Sequence, residues 1–218
     1  MQELHEVRYT VEDIQEALIN PLPGLTGQIK MAPAPIGNPL NRWAIPDNCR
    51  EASVLLLFYP YNDNGRSPEL YLTLTRRREY PGVHSGQISL PGGRREKDES
   101  LQATALRETT EEIGVSPAKL EVMGQLSTLY TPPSNFCIYP FVAFSPTRPT
   151  FQPDPREVAE LIEVPLDLLV DPVIRKKETW HFENYGKRQV PFFDVYGHKV
   201  WGATAMILSE FLTLLINR

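Results

Sequence analysis

The spacing of apolar positions changes several times along this chain, and each change predicts an element. Val11, Ile14 and Leu18 recur at helical spacing behind Thr10, so a short amphipathic helix is expected over Val11–Ile19. Residues 52–59 form an apolar run of strand length. Residues 62–68 (NDNGRSP) carry turn chemistry and would fold that run back onto a second strand at 69–75. A short strand is expected at 87–90. From 100 to 113 there is neither Gly nor Pro, and Gly114 stands where a helix C-cap belongs. Further strands are predicted at 119–128 and 137–144. A short acidic segment, PREVAELIEVPL, follows at 155–166, and an apolar helix over 204–216 ends the chain. Strands interrupted by one long helix and closed by another indicate an α/β arrangement, a mixed sheet between helices.

Composition adjusts this picture at three points. The chain has 218 residues, enough for one domain with an appendage, and 21 of them are proline, about twice the average usage. Interior proline breaks helices, so an all-helical bundle is excluded. Pro21, Pro23, Pro33, Pro35, Pro39 and Pro46 make residues 20–50 read as extended connecting chain. The expected organisation is therefore an N-terminal helix and proline-rich extension over 1–50, then one domain over 51–218. A net charge of −5 argues against a nucleic-acid partner, which needs many phosphate-neutralising cations. Cys49 and Cys137 lie far apart, with no CxxC pair and no disulfide framework, which fits a reducing compartment. With no apolar run of signal-peptide or membrane-spanning length, a cytoplasmic protein without a membrane partner is expected.

The chemistry concentrates in the predicted central helix. At about 100° per residue, Glu108, Glu111 and Glu112 fall within roughly a 100° arc of one face, with Leu106, Thr110 and Ile113 expected on the other. Three carboxylates on one stripe repel each other. Hard oxygen donors so clustered suit Mg²⁺ or Mn²⁺, leaving coordination positions for water and substrate phosphates. A lone ExxEE is most often a solvated acidic helix, and here the surrounding spacing decides against that. Gly93, Glu99, Arg107, Glu108, Glu111, Glu112, Gly114 and Val115 fit Gx5Ex7REUxEExGU, where U is aliphatic. The fixed letters recur by chance on the order of 10⁻⁸ per starting position.

That segment resembles the signature of the Nudix hydrolases. Thr109 departs from it, standing where an aliphatic residue is usual. The resemblance implies a Nudix-type α/β/α sandwich with a loop-helix-loop metal site, and hydrolysis of a nucleoside diphosphate linked to another moiety. It also implies that Glu108, Glu111, Glu112 and the Gly93 carbonyl hold the metal, while Arg107 and Glu99 brace the loop against the helix. A homodimer is the assembly it implies.

A second resemblance narrows the substrate. Leu72-Thr-Leu-Thr-Arg-Arg77, then His84-Ser-Gly86-Gln87-Ile-Ser-Leu90-Pro91-Gly92-Gly93, is similar to the element preceding the Nudix box in coenzyme A pyrophosphatases. So are residues 157–160 with 164–166, and residues 201–205. Gly82 replaces a usual arginine and Leu90 a usual phenylalanine. The resemblance implies coenzyme A or an acyl-coenzyme A as the nucleotide substrate, with ADP-ribose or another nucleoside diphosphate derivative as the competing reading, and a non-catalytic nucleotide-binding module as the rival of another class. Arg76, Arg77 and Arg78 offer cations for a phosphate beyond the metal, and Gln87 and Ser89 are candidate lining residues. A carboxylate is needed to orient or deprotonate water. Glu157 and Glu160 are the candidates, ahead of His84 and His181, and Trp201 and Tyr139 read as core aromatics.

Overall fold

Two strands that pair and then part frame the molecule. In the computed structural model, which describes residues 8–34, 44–61, 69–79, 86–183 and 186–218, β1 (Arg50–Tyr61) and β2 (Glu69–Arg77) pair antiparallel only from Phe58↔Leu72 to Tyr61↔Glu69. The predicted turn between them, 62–68, lies outside the described residues, as do Gly82 and His84. Beyond Phe58 the gap is filled by two short strands. β3 (Ile88–Ser89) pairs with β2, and β4 (Gly92–Arg94) pairs with β1. The Leu90-Pro91 link thus carries the chain across the sheet and delivers Gly92-Gly93 into the cleft.

The rest of the sheet is built outward from these strands. β7 (Phe136–Phe144) runs parallel to β1. Its far edge carries β6 (Leu129–Thr131) and β5 (Glu121–Gln125), while β8 (Val158–Pro165) pairs with β2. Pro140 sits in β7 where its neighbour changes from β6 to β5, so the missing N–H removes no ladder bond on that side. The expected mixed sheet between helices is present. One face packs on helix α3 (Leu101–Ile113) through Leu55, Leu57, Tyr71, Ala105 and Ile113. The other packs on α4 (Leu166–Val170) and α5 (Gly202–Ile216) through Leu56, Phe58, Leu72, Ile162, Leu169 and Phe211, with the Phe58 and Phe211 rings stacked at 4.9 Å. No described helix is long and apolar enough to cross a membrane.

Several local expectations are corrected. Residues 20–34 are more than connecting chain: α1 (Val11–Ile19) is followed by α2 (Leu25–Gln28) and a 3-10 turn at Ile29–Met31. Glu210 of α5, fully buried, accepts hydrogen bonds from Gly24 N, Ser127 N and Gln28 Nε2 at 3.1, 3.1 and 2.8 Å, pinning this segment to the core. The acidic segment at 155–166 forms β8, whose charges conceal alternation: Val158, Ile162 and Val164 are buried while Glu160 is not. A separate three-stranded sheet, β9 (Arg175–Phe182), β10 (Gly186–Val195) and β11 (His198–Trp201), precedes α5. Trp201 meets Trp180 edge-on at 5.0 Å in an aromatic cluster, and Tyr139 packs on the α3 side; both are only partly buried. The cysteines are paired. Cys49 and Cys137 form a disulfide with Cα atoms 5.7 Å apart, because the β1–β7 register sets Glu51 beside Cys137 and brings residue 49 alongside.

Candidate active site

The site begins with two glycines that leave room for two strands and a helix to meet. A Cβ on Gly92, at φ 150°, would lie 2.3 Å from the Ser53 carbonyl oxygen, and one on Gly93 would lie 2.4 Å from the Glu108 carboxyl. Gly92 lets β4 run between β1 and α3, and Gly93 leaves the Glu108 carboxyl its place beside the strand. Helix α3 starts on Ser100, whose Oγ accepts from Ala103 N, and ends on left-handed Gly114. Its turn rate carries Glu111, Glu108, Glu112, Thr109 and Ile113 in succession from solvent into the sheet. The Glu111 side chain is 57% exposed and that of Glu108 15%, whereas Glu112 is 3% exposed. The buried residues are therefore Thr104, Ala105, Thr109, Glu112 and Ile113, and Thr110, expected opposite the glutamates with Ile113, is exposed instead of buried with it. Thr109 is fully buried and returns its hydroxyl to the Ala105 carbonyl at 2.7 Å, which satisfies the polar atom its departure introduces.

Arg107 organises the exposed side of this helix. Nε and NH2 grip the two oxygens of Glu99 at 2.9 and 3.2 Å, NH1 reaches Glu108 and Glu111 at 2.9 Å each, and NH2 also donates to the Arg94 carbonyl at 3.2 Å. Glu99 additionally accepts from Thr104 Oγ1 and Glu96 N. The Arg107 guanidinium holds the Glu99 carboxyl at about 2, well below the usual range. Glu112 has the opposite environment. Burial, with Glu108 and Glu157 nearby, pushes its carboxyl up to about 7 against the pull of Arg77 and of the Gly92 N–H, which donates at 3.2 Å. Burial likewise raises Glu108.

Loop 152–157 brings in a fourth carboxylate. Gln152 N and Asp154 N donate to the Ile113 and Glu112 carbonyls at 2.8 and 2.9 Å, satisfying acceptors left over at the end of α3. Glu157 follows, its carbonyl accepting from Arg78 N, and its negative charge adds to the upward push on Glu108 and Glu112. Thr75 and Ser89 meet hydroxyl to hydroxyl at 3.2 Å, and the Arg77 amide donates to the Gln87 carbonyl, so Arg77, Gln87 and Ser89 share the α3 side of the sheet edge. Arg76 and Glu160 do not. They pair at 2.9 Å, with His198 Nε2 3.4 Å from the same carboxylate, at positions whose strand neighbours Leu74 and Ile162 enter the α5 core. His181 is exposed on β9, outside this group. Ser53, fully buried under Gly93, has an Oγ without a hydrogen-bond partner among the described residues; its only sequence signal is a polar residue within an apolar run.

The donor set is all oxygen, which suits a hard divalent cation. Buried Glu112 among like charges is what such a cation would offset. Among the described residues no three His, Cys, Asp or Glu side chains converge on one point; Glu108 and Glu111 are instead turned to Arg107.

Comparison with known proteins agrees with this geometry. The NUDIX domain family matches residues 51–185. The Nudix hydrolase NudL of Photorhabdus laumondii is 33% identical over 171 residues, covering 76% of this chain and 85% of that protein. NudL of Pectobacterium atrosepticum is 34% identical over 153 residues, covering 69% and 78%. A MutT/nudix family protein from Enterococcus faecalis shares the fold with a TM-score of 0.53 at 15% identity, over 96% of this chain and 75% of that one. A doubled glycine wedged against a glutamate-bearing helix, a braced loop, and a family match over more than half the residues together show that this chain belongs to the Nudix hydrolases.

Proposed function

We propose that this Nudix hydrolase cleaves the diphosphate of coenzyme A or an acyl-coenzyme A, giving 3′,5′-ADP and 4′-phosphopantetheine or its acyl form. The observation that carries the reading is the placement of Arg77, Gln87 and Ser89, from the segment similar to coenzyme A pyrophosphatases, on the same face as the glutamate helix. Glu108, Glu111, Glu112 and the Gly93 carbonyl are the groups proposed to hold Mg²⁺ or Mn²⁺. When bound, such a cation neutralises diphosphate charge and lowers the pKa of an attacking water.

The chain's own groups have separate roles in this proposal. Arg77 supplies a fixed positive charge for non-bridging phosphate oxygens. Arg107 and Glu99 hold the loop so that the Gly93 carbonyl keeps its place. Glu157 orients water or takes its proton, because its charge acts on Glu108 and Glu112, whereas Glu160 is held by Arg76 and His198 on the other face.

The test is a panel of coenzyme A, dephospho-coenzyme A and ADP-ribose with Mg²⁺ or Mn²⁺, products resolved chromatographically. Preference for coenzyme A over the dephospho form shows that the 3′-phosphate is read. No cleavage of coenzyme A with either metal removes the substrate assignment, and preference for ADP-ribose transfers it. Loss of turnover in folded Glu111→Gln and Glu112→Gln distinguishes a hydrolase from a binding module. Light scattering on the same preparation tests the homodimer.

A further inference from the structure

We propose that the groove between α5, the start of β9 and the 3-10 turn at Ile29–Met31 binds an amphipathic anion, an apolar chain ending in a carboxylate. The groove encloses about 440 Å³, within the range of small-ligand pockets. Among the described residues its lining holds four cations, Lys30, Arg175, Lys176 and Lys177, and no carboxylate, in a chain of net charge −5. Two of the four are engaged: Lys176 pairs with Asp194 at 2.5 Å, and Lys30 donates to Thr213 Oγ1 at 2.9 Å. Arg175 and Lys177 are exposed, and their side chains have no ion-pair or hydrogen-bond partner among the described residues. Beneath them the surface is apolar. Met31, Phe193 and Leu212 belong to the main core, and Ile216, 48% exposed, continues it to the rim.

Free cations above an apolar floor select a ligand that has both a charge and a hydrocarbon. A bare phosphate would leave the floor wet, and a neutral chain would leave the cations without a counter-charge. The floor is the α5 side of the sheet, opposite the face that carries Glu108 and Glu112, so this groove is separate from the proposed diphosphate site.

The test is calorimetric titration of the full chain with hexanoate, octanoate and decanoate below their micelle concentrations. The expected result is saturable binding that tightens about fourfold per added methylene. Arg175→Ala with Lys177→Ala is expected to weaken decanoate about tenfold or more, and Ile216→Glu to abolish binding. Both changes lie at exposed positions, and circular dichroism checks the fold of each variant. Decanol binding as tightly as decanoate, inorganic phosphate competing as well as decanoate, or decanoate affinity unchanged in the double variant would each overturn the proposal. So would attachment to anionic phospholipid vesicles without binding of monomeric decanoate. Because hydrolysis is read separately, failure here leaves the coenzyme A assignment standing.

Discussion

Arg107 and Glu99, eight residues apart and on opposite sides of a helix start, form a two-point ion pair with Nε–Oε1 and NH2–Oε2 separations of 2.9 and 3.2 Å. The pair joins the loop after β4 to the second turn of α3. The same guanidinium holds Glu108, Glu111 and the Arg94 carbonyl, so one side chain sets the distance between the glycine turn and the glutamate helix.

That pair predicts an acid-dependent stability. The Glu99 carboxyl lies at about 2 when folded, against an ordinary 4.5, so the ionised form favours folding. The contribution is present above about pH 4.5 and is lost as pH falls towards 2. Glu99→Gln is expected to cost about 3 kcal/mol at pH 7, with the difference from wild type vanishing near pH 2. Urea unfolding at pH 7, 4 and 2 measures it; an equal difference at every pH contradicts the assignment.

Gly92 and Gly93 are expected to fail differently. A methyl at Gly92 meets fixed backbone, the Ser53 carbonyl and Val54 Cα, whereas at Gly93 it meets the movable end of Glu108. Gly92→Ala should cost about 3 kcal/mol or more. Gly93→Ala should cost only about 1 kcal/mol yet lower turnover about a hundredfold by displacing Glu108. Melting curves and steady-state rates on both variants separate the two effects.

Glu112 is expected to destabilise the metal-free protein. Its folded value of about 7 lies above the ordinary 4.5, so the cost is absent below pH 4.5, builds as pH rises from 4.5 to 7, and is fully present above 7. In chelator at pH 8, Glu112→Gln should be more stable than wild type by about 3 kcal/mol. Excess Mg²⁺ or Mn²⁺ should shrink or reverse that gain. A gain unchanged by metal would remove Glu112 from the proposed ligand set.

Glu157 and Glu160 sit three residues apart but on different faces. Glu157→Gln is expected to lower kcat about a hundredfold or more, and Glu160→Gln to change it by less than about threefold. The reverse order would place the base on the α5 side.

The Cys49–Cys137 bridge closes 88 residues, and its removal is expected to cost about 4.6 kcal/mol in the chain-entropy account. Thiol titration of the unreduced, denatured protein should find no free thiol. Unfolding with and without reductant measures the stability loss.

How much of this could be read without coordinates depends on how local each feature is. The glutamate helix, its Gly114 stop and the brace between Glu99 and Arg107 are encoded within about 22 consecutive residues, so spacing and resemblance sufficed. Strand β8 was hidden because Glu160 and Glu163 find partners outside their own segment, Arg76 with His198 and Arg148 respectively. The β9–β11 sheet was hidden because its first strand begins Arg175-Lys-Lys and alternates exposed with half-buried positions, showing no apolar run.

The sequence by itself determined the chemistry: which carboxylates stand on one helix, which arginine and glycines accompany them, and so the family. Tertiary structure alone decided what surrounds each of them. Arg76 and Arg77 are neighbours in the chain, yet successive strand positions point to opposite faces, sending one to Glu160 and leaving the other beside Glu112. Cys49 and Cys137 meet only through the parallel β1–β7 register, and the charge of Glu157 acts on Glu112 only because a loop closes the end of α3. Helical and strand periods are local properties. Which face is covered, and by what, follows from packing between segments far apart in the chain.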